Sequence, residues 1–426
     1  MGIGVMFPGQ GSQVPGMGQD LYYEDEEVRR LYDTAGDILG YDLLRACEDR
    51  HGELSDTAVV QPAVVVHSVA CWRLLCRALP EPPAVMAGHS LGEISALVCA
   101  GALDFEAAVA LAQRRGRLMA ECPPGTMAVV FGLHADEVER VLAASVDGRV
   151  VVANRNSREQ CVISGEADAF AAAGTALSAR GAVVRPLRVT VAPHSPLMRA
   201  AVAGFTELVT QAGIGDADIP IVSSCDGTVL RGAVELSDSL CNQLTGCVDW
   251  PRTVRLMVGH QVDTLVEVGP KAVLRDLSKS EFPDRTVWAC DSVRGIRSVS
   301  MALAESDPIR PATVGTTELV AFLLAGLRLA VGTPDDVGLS GEEYESAVRA
   351  PYTRLLERLD LVRAARISDP EELLESAIRD IAMLLRAKGF SALQSHAALD
   401  RALAVAGTAV RSSTSALGLE AASDGG

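Results

Sequence analysis

The chain has 426 residues, with 38 Lys+Arg against 55 Asp+Glu and a formal net charge of −17. Hydrophobic residues make up 48% and aromatics only 4%, which predicts a sizeable core in close-packed α/β layers rather than a β-sandwich. The acidic balance excludes a global electrostatic footprint for nucleic acid or an anionic membrane.

In chain order, a buried strand is expected at Gly2–Phe7, followed by the glycine-rich loop Pro8-Gly9-Gln10-Gly11-Ser12-Gln13. Helical patterns cover Glu26–Leu39 and residues 62–79. A strand–turn–helix follows: strand 84–87, the turn Gly88-His89-Ser90-Leu91-Gly92, and helix 93–100. Residues 104–122 read as another helix. The texture then changes. Strand-like 127–131, helical 134–145, strand-like 150–154 and 161–164, helical 167–180 and strand-like 183–189 give the order β-α-β-β-α-β, the split βαβ pattern. Strands at 219–223, 264–268 and 287–289 resume the α/β alternation. Beyond about residue 305 only helices are expected, at 318–331, 341–366, 370–388 and 391–410. The third is the best marked. Ser368 and Glu371 form a capping box, Pro370 lies in the first turn and Gly389 closes the end. The expected fold class is α/β: an α/β-hydrolase-like domain from 1–126 and 191–300, a ferredoxin-like insert at 127–190, and a helical extension at 317–411. Residues 412–426, rich in Ser, Ala and Gly, read as a disordered tail.

Ten cysteines show no zinc spacing. Residues 1–13 are too short and glycine-rich for a signal peptide, and no apolar run suggests a membrane span. A cytoplasmic protein is expected. Lys271, Lys279 and Lys388 are the only lysines, so arginine dominates the cations. That is read mainly as composition, although the planar guanidinium suits carboxylate and phosphate recognition.

The sharpest motif is Gly88-His89-Ser90-Leu91-Gly92, a G-x-S-x-G between strand and helix. Small flanking residues allow the tight turn. Ser90 Oγ then stands at a helix N-terminus, where dipole and free N–H groups favour negative charge. A nucleophilic Ser needs a base. Seven histidines compete: His51, His67, His89, His134, His194, His260 and His396. His89 adjoins Ser90 but points elsewhere on an elbow, so it lines or supports the pocket. His67 lies in an apolar helical pattern. His194 sits in a loop where the chain returns to the main domain, and spacing makes it a plausible base without deciding the matter.

The motifs Gly9-Gln10-Gly11-Ser12-Gln13, Gly88 to Glu93, Arg114-Arg115-Gly116-Arg117-Leu118-Met119, His194-Ser195-Pro196-Leu197-Met198 and Glu267-Val268-Gly269-Pro270 occur in this order. Over roughly residues 1–295 the chain resembles the malonyl-CoA:acyl-carrier-protein transacylases and the acyltransferase domains of polyketide synthases. The resemblance implies Ser90 as nucleophile and His194 as general base. It implies backbone N–H groups of Gln10 and Leu91 as an oxyanion hole, with glycine flanks that let the backbone approach. Arg115 would pair with the free malonyl carboxylate, and the main-chain carbonyl of Gln243 would orient His194, its side chain having no assigned chemistry. Gln10, His89, Pro193 and Asn156 would line the pocket; Asn154 belongs to the same strand-end motif. The implied partners are malonyl-CoA or a related acyl-CoA and an acyl carrier protein, in fatty acid or polyketide biosynthesis. No metal or organic cofactor is expected; the phosphopantetheine belongs to the carrier. Pro193 departs from the Ser or Phe more usual before the base. Leu91 favours the malonyl-type over the methylmalonyl-type pattern. An acidic carrier would need a local cationic patch, for which Arg155, Arg158, Arg185, Arg188 and Arg199 are candidates. Two other readings share these residues: an acyl-carrier thioester hydrolase, and an assembly subunit acting through the helical extension.

Overall fold

The computed structural model describes residues 2–79, 81–187, 189–305, 316–332, 344–363 and 370–388. The chain divides into two units, 1–307 and 308–426.

Eleven strands lie among the described residues: β1 (Gly2–Phe7), β2 (Val85–Gly88), β3 (Thr126–Phe131), β4 (Val150–Ser157), β5 (Gln160–Gly165), β6 (Val183–Pro186), β7 (Ile221–Val222), β8 (Val229–Leu230), β9 (Val248–Asp249), β10 (Val262–Val268) and β11 (Thr286–Cys290). The first sheet runs β11-β10-β1-β2-β7-β8 and is parallel except for the β7–β8 pair. Its strands are apolar on both faces, as a sheet with helices on both sides requires. On β1, Val5 and Phe7 enter one core cluster while Met6 enters another. On β2, Met86 joins the first and Val85 and Ala87 the second. This period-2 alternation fills two cores from one run of apolar residues.

The second sheet runs β6-β3-β5-β4-β9. Helices Ala135–Val146 and Phe170–Ser178 supply Val138, Leu142, Ala173 and Leu177 to its core. The β-α-β-β-α-β order expected from sequence is the order found. Several features differ from expectation. β9 lies far outside the 127–190 segment, yet it pairs in parallel with β4. A two-residue strand has no periodicity for sequence reading to detect. The helix expected from residue 62 begins at Thr57, where the Asp56 carboxylate accepts from Ala58 N–H at 2.8 Å. Pro62 is inside it rather than at its start. This helix, Thr57–Cys76, is long and apolar enough by composition to cross a membrane, contrary to the sequence reading. Its flanks are buried all round, with Val64, Val65, Val66 and Val69 at 0% exposure, so it serves as a core helix.

In the second unit, helices Thr316–Gly332, Ala350–Arg363 and Pro370–Ala387 are described, with a π-helical turn at Glu345–Arg349. Phe322, Leu323, Leu355, Leu359, Ile378, Ile381 and Leu385 form their shared core. Asp380 is buried and takes both Arg354, at 2.6 Å, and Arg358. The expected cap residues Ser368 and Gly389, the helix at 391–410 and the tail at 412–426 lie outside the described residues.

Candidate active site

The carboxyl end of β2 carries the turn to helix Gly92–Cys99. Ser90 adopts φ 52°, in the left-handed region that a non-glycine residue enters only when its surroundings hold it there. The turn closes through Gly92 N–H to His89 C=O at 3.0 Å and Glu93 N–H to Ser90 C=O at 2.9 Å. A Cβ on Gly88 would stand 2.0 Å from the Gly92 carbonyl carbon, and one on Gly92 would stand 2.1 Å from Phe7 O. Only glycine permits this close approach on both sides of the Ser.

His194 also has a left-handed φ, 58°, and its N–H donates to Leu244 C=O at 3.0 Å. Its Nε2 lies 2.8 Å from Ser90 Oγ. Its Nδ1 lies 2.8 Å from Gln243 C=O and 3.0 Å from Gly246 C=O. Carbonyls accept only, so Nδ1 carries the proton and Nε2 is left free to accept from the serine. No carboxylate is needed to set that tautomer. Burial, then the charges of Arg115 and His89, push the His194 imidazole down to about 3. The imidazole is therefore neutral at neutral pH, the form that can accept a proton. The acylation rate should show no acid limb near the ordinary histidine value of 6.5; a half-loss there in stopped-flow acylation would contradict this environment.

Arg115 comes from helix Phe105–Ala120 and is only 2% exposed. Nη1 donates to Gln61 Oε1 at 2.9 Å and Nη2 to Gln243 Oε1 at 3.3 Å. Nε is buried with no protein partner. Burial pulls its guanidinium down to about 10, which leaves it charged at neutral pH. A buried cation with an unspent donor is costly unless an anion arrives to share it.

The same elements wall a cavity of about 920 Å3, lined by Gln10, Ser90, Leu91, Arg115, Pro193 and His194 among others. His89, Asn154 and Asn156 also face it. His89 Nε2 pairs with Asn156 Oδ1 at 3.2 Å, and its ring packs on Trp250. Asn154 Oδ1 is buried and unpartnered. Gln10 Oε1 accepts from Thr57 Oγ1 at 3.1 Å. A Cβ on Gly9 would meet His89 O at 2.5 Å, so this loop lies hard against the elbow. Among the described residues, neither Gln10 nor Leu91 gives its main-chain N–H to a protein acceptor.

The carrier-patch candidates are not equivalent. Arg155 pairs with Asp136 at 2.5 Å and Glu139 at 2.8 Å, so its charge is already neutralised. Arg158, Arg185 and Arg199 are exposed, Arg185 lying over the Phe131 ring. Arg188 lies outside the described residues.

Two polar residues at the site had no role from sequence. Gln61 bridges Thr57 and Arg115, and Glu93 receives Gln243 Nε2 at 2.8 Å and Ser239 Oγ at 3.0 Å. Both interrupt otherwise apolar helical runs. A lone polar group in such a run signals a buried partner. The Gln243 side chain, given no chemistry from sequence, joins Arg115 to Glu93.

Comparison with known proteins matches residues 5–293 to the acyl transferase domain family. The malonyl CoA-acyl carrier protein transacylase of Escherichia coli K12 is 38% identical over 280 residues, 64% of this chain and 91% of that protein. An acyl carrier protein S-malonyltransferase crystal structure from Vibrio cholerae superposes with a TM-score of 0.67 at 35% identity, covering 70% of this chain and all of the other. A type II polyketide acyl-carrier protein in complex with its malonyl-transacylase gives 0.69 at 35% identity, covering 71% of this chain and 100% of that one. Relatives matched over nine-tenths of their length, and a family match over most of the first unit, lead to one conclusion: the chain belongs to the acyl transferase family.

Proposed function

We propose that the protein is a malonyl-CoA:acyl-carrier-protein transacylase that works by two successive acyl transfers through Ser90. The observation that carries this reading is the conjunction of the Ser90–His194 pair with a buried, partly unpartnered arginine in one cavity. In the first half-reaction, Ser90 Oγ attacks the thioester carbonyl carbon and its proton passes to His194 Nε2. The oxyanion is received by the N–H groups of Gln10 and Leu91. The C–S bond breaks, and the CoA thiolate takes the proton from His194, leaving malonyl-O-Ser90. In the second, the carrier thiol gives its proton to His194 and its sulfur attacks the ester carbonyl. The C–O bond breaks and the Ser90 alkoxide regains the proton. Every proton has a donor and an acceptor among these groups, so no organic cofactor or metal enters the scheme.

Arg115 would hold the malonyl carboxylate during both steps. An unspent buried guanidinium donor favours a substrate with a free carboxylate over the plain acyl chains that a hydrolase would clear. The fine description of the fold is also our reading: an α/β-hydrolase-like domain from 1–126 and 191–300, with a ferredoxin-like insert at 127–190. The order β6-β3-β5-β4 within the second sheet supports the insert. The helical extension at 317–411 supplies no residue to this scheme. Ten free cysteines support a reducing, cytoplasmic setting. Intact-protein mass spectrometry after incubation with a panel of acyl-CoAs, then with carrier protein, tests the reading. A malonyl adduct that the carrier removes is expected; release only as free acid would refute transfer.

For carrier docking we propose the exposed Arg158, Arg185 and Arg199. Reversing all three charges should raise the carrier KM several-fold and leave the malonyl-CoA KM unchanged, by analogy with rim charges elsewhere. Unchanged carrier kinetics would remove the patch.

A further inference from the structure

Glu93 is 1% exposed, one residue into the helix that begins beside the nucleophile. A carboxylate there must be held by donors, and it is. Gln243 Nε2 donates to Oε2 at 2.8 Å and Ser239 Oγ to Oε1 at 3.0 Å. A Ser224 main-chain bond adds to these, while burial drives the carboxyl up to about 7. Gln243, 0% exposed, is thus caught between two groups of opposite character. A guanidinium only donates, and a carboxyl group offers an accepting oxygen whether or not it is ionised. The amide of Gln243 therefore has one orientation, Nε2 towards Glu93 and Oε1 towards Arg115 Nη2 at 3.3 Å. The same residue offers its main-chain carbonyl to His194 Nδ1 at 2.8 Å.

We propose that Glu93 is a positioning residue which, through the side chain of Gln243, aims the Arg115 guanidinium and steadies the carbonyl that holds His194. Nothing in the arrangement lets Glu93 touch the acyl group; it acts by fixing which end of an amide meets the arginine. Without the carboxylate, the Gln243 amide loses the acceptor that fixes it and is free to turn its own donors towards a cation. The arginine arm should suffer more than the histidine arm, because the main-chain carbonyl has the backbone to hold it and Gly246 C=O shares the load.

The inference rests on the transacylase reading, and the ratio of malonyl to acetyl loading separates the two. In the full-length protein, Glu93→Ala should lower that ratio about ten- to a hundredfold, the cost expected for one unsatisfied group at a buried charged site. Glu93→Gln keeps an acceptor for Gln243 Nε2 and a group to pair with Ser239, and should stay within about threefold of wild type. Gln243→Met removes the side-chain bridge but keeps the carbonyl, and should match Glu93→Ala. The double variant should lose no more than either single one, since both break the same link. A folded Glu93→Ala with wild-type selectivity overturns the proposal, as do additive losses in the double variant. If Glu93→Ala does not fold, unchanged selectivity in Gln243→Met overturns it. Wild-type protein that takes no malonyl onto Ser90 sinks the transacylase reading and this inference together. Malonyl uptake with unaltered variants sinks the inference alone.

Discussion

Ser90→Ala should leave no covalent adduct after incubation with malonyl-CoA, and should reduce transfer to a carrier about 10^5- to 10^6-fold, as loss of a serine nucleophile does where serine and base act as a unit. The expectation follows from geometry. Oγ is the atom 2.8 Å from the only imidazole nitrogen in the pair that can accept a proton. Alanine keeps the elbow and the cavity wall and removes one oxygen. The loss is therefore chemical rather than structural, and thermal unfolding close to that of the wild type would show it. His89 cannot substitute: its Nε2 is engaged by Asn156 and its ring rests on Trp250. An adduct that survives in Ser90→Ala would place the acyl group on another residue and end the mechanism given above.

Arg115→Ala should reduce malonyl loading about 10^2- to 10^3-fold while acetyl loading stays near wild type, the range measured when one partner of a buried charge pair is truncated. The malonyl carboxylate would enter a cavity where water is displaced, and a carboxylate left unpaired there loses its hydration for nothing. Acetyl has no such group to lose. Arg115→Lys should not restore malonyl loading. A lysine cannot reach Gln61 and Gln243 with one ammonium while presenting a second parallel donor to the substrate. Equal losses on both acyl groups would show that Arg115 supports the site rather than reading the carboxylate.

What sequence made legible at this site is what is local. The elbow is five consecutive residues with strict steric demands, so its motif carries its geometry. His194 was one plausible base among seven until the ordered motifs of the family singled it out. The strands of the first sheet were legible because apolar runs punctuated by turns have few other solutions. The Glu93–Gln243–Arg115–Gln61 chain was not, because its bonded pairs lie 54 to 150 residues apart and each member reads alone as a polar residue in or beside a helix. Pro62 misled for a different reason: its usual place is a first helical turn, whereas Asp56 caps this helix six residues before the proline. Arg155 had the right charge for a docking patch, but the acidic pair that neutralises it is set by the fold of the second sheet.

The short strand β9 has a mechanical consequence. Its Val248 pairs with Asn154 on β4, so the second sheet is stitched to the segment that carries Gly246, two residues earlier. Gly246 offers one of the two carbonyls that face His194 Nδ1. A hinge opening of the small sheet would have to unzip that stitch or drag the imidazole out of line with the serine. Movement of the small sheet is thus coupled to the position of the imidazole through this short stretch of chain.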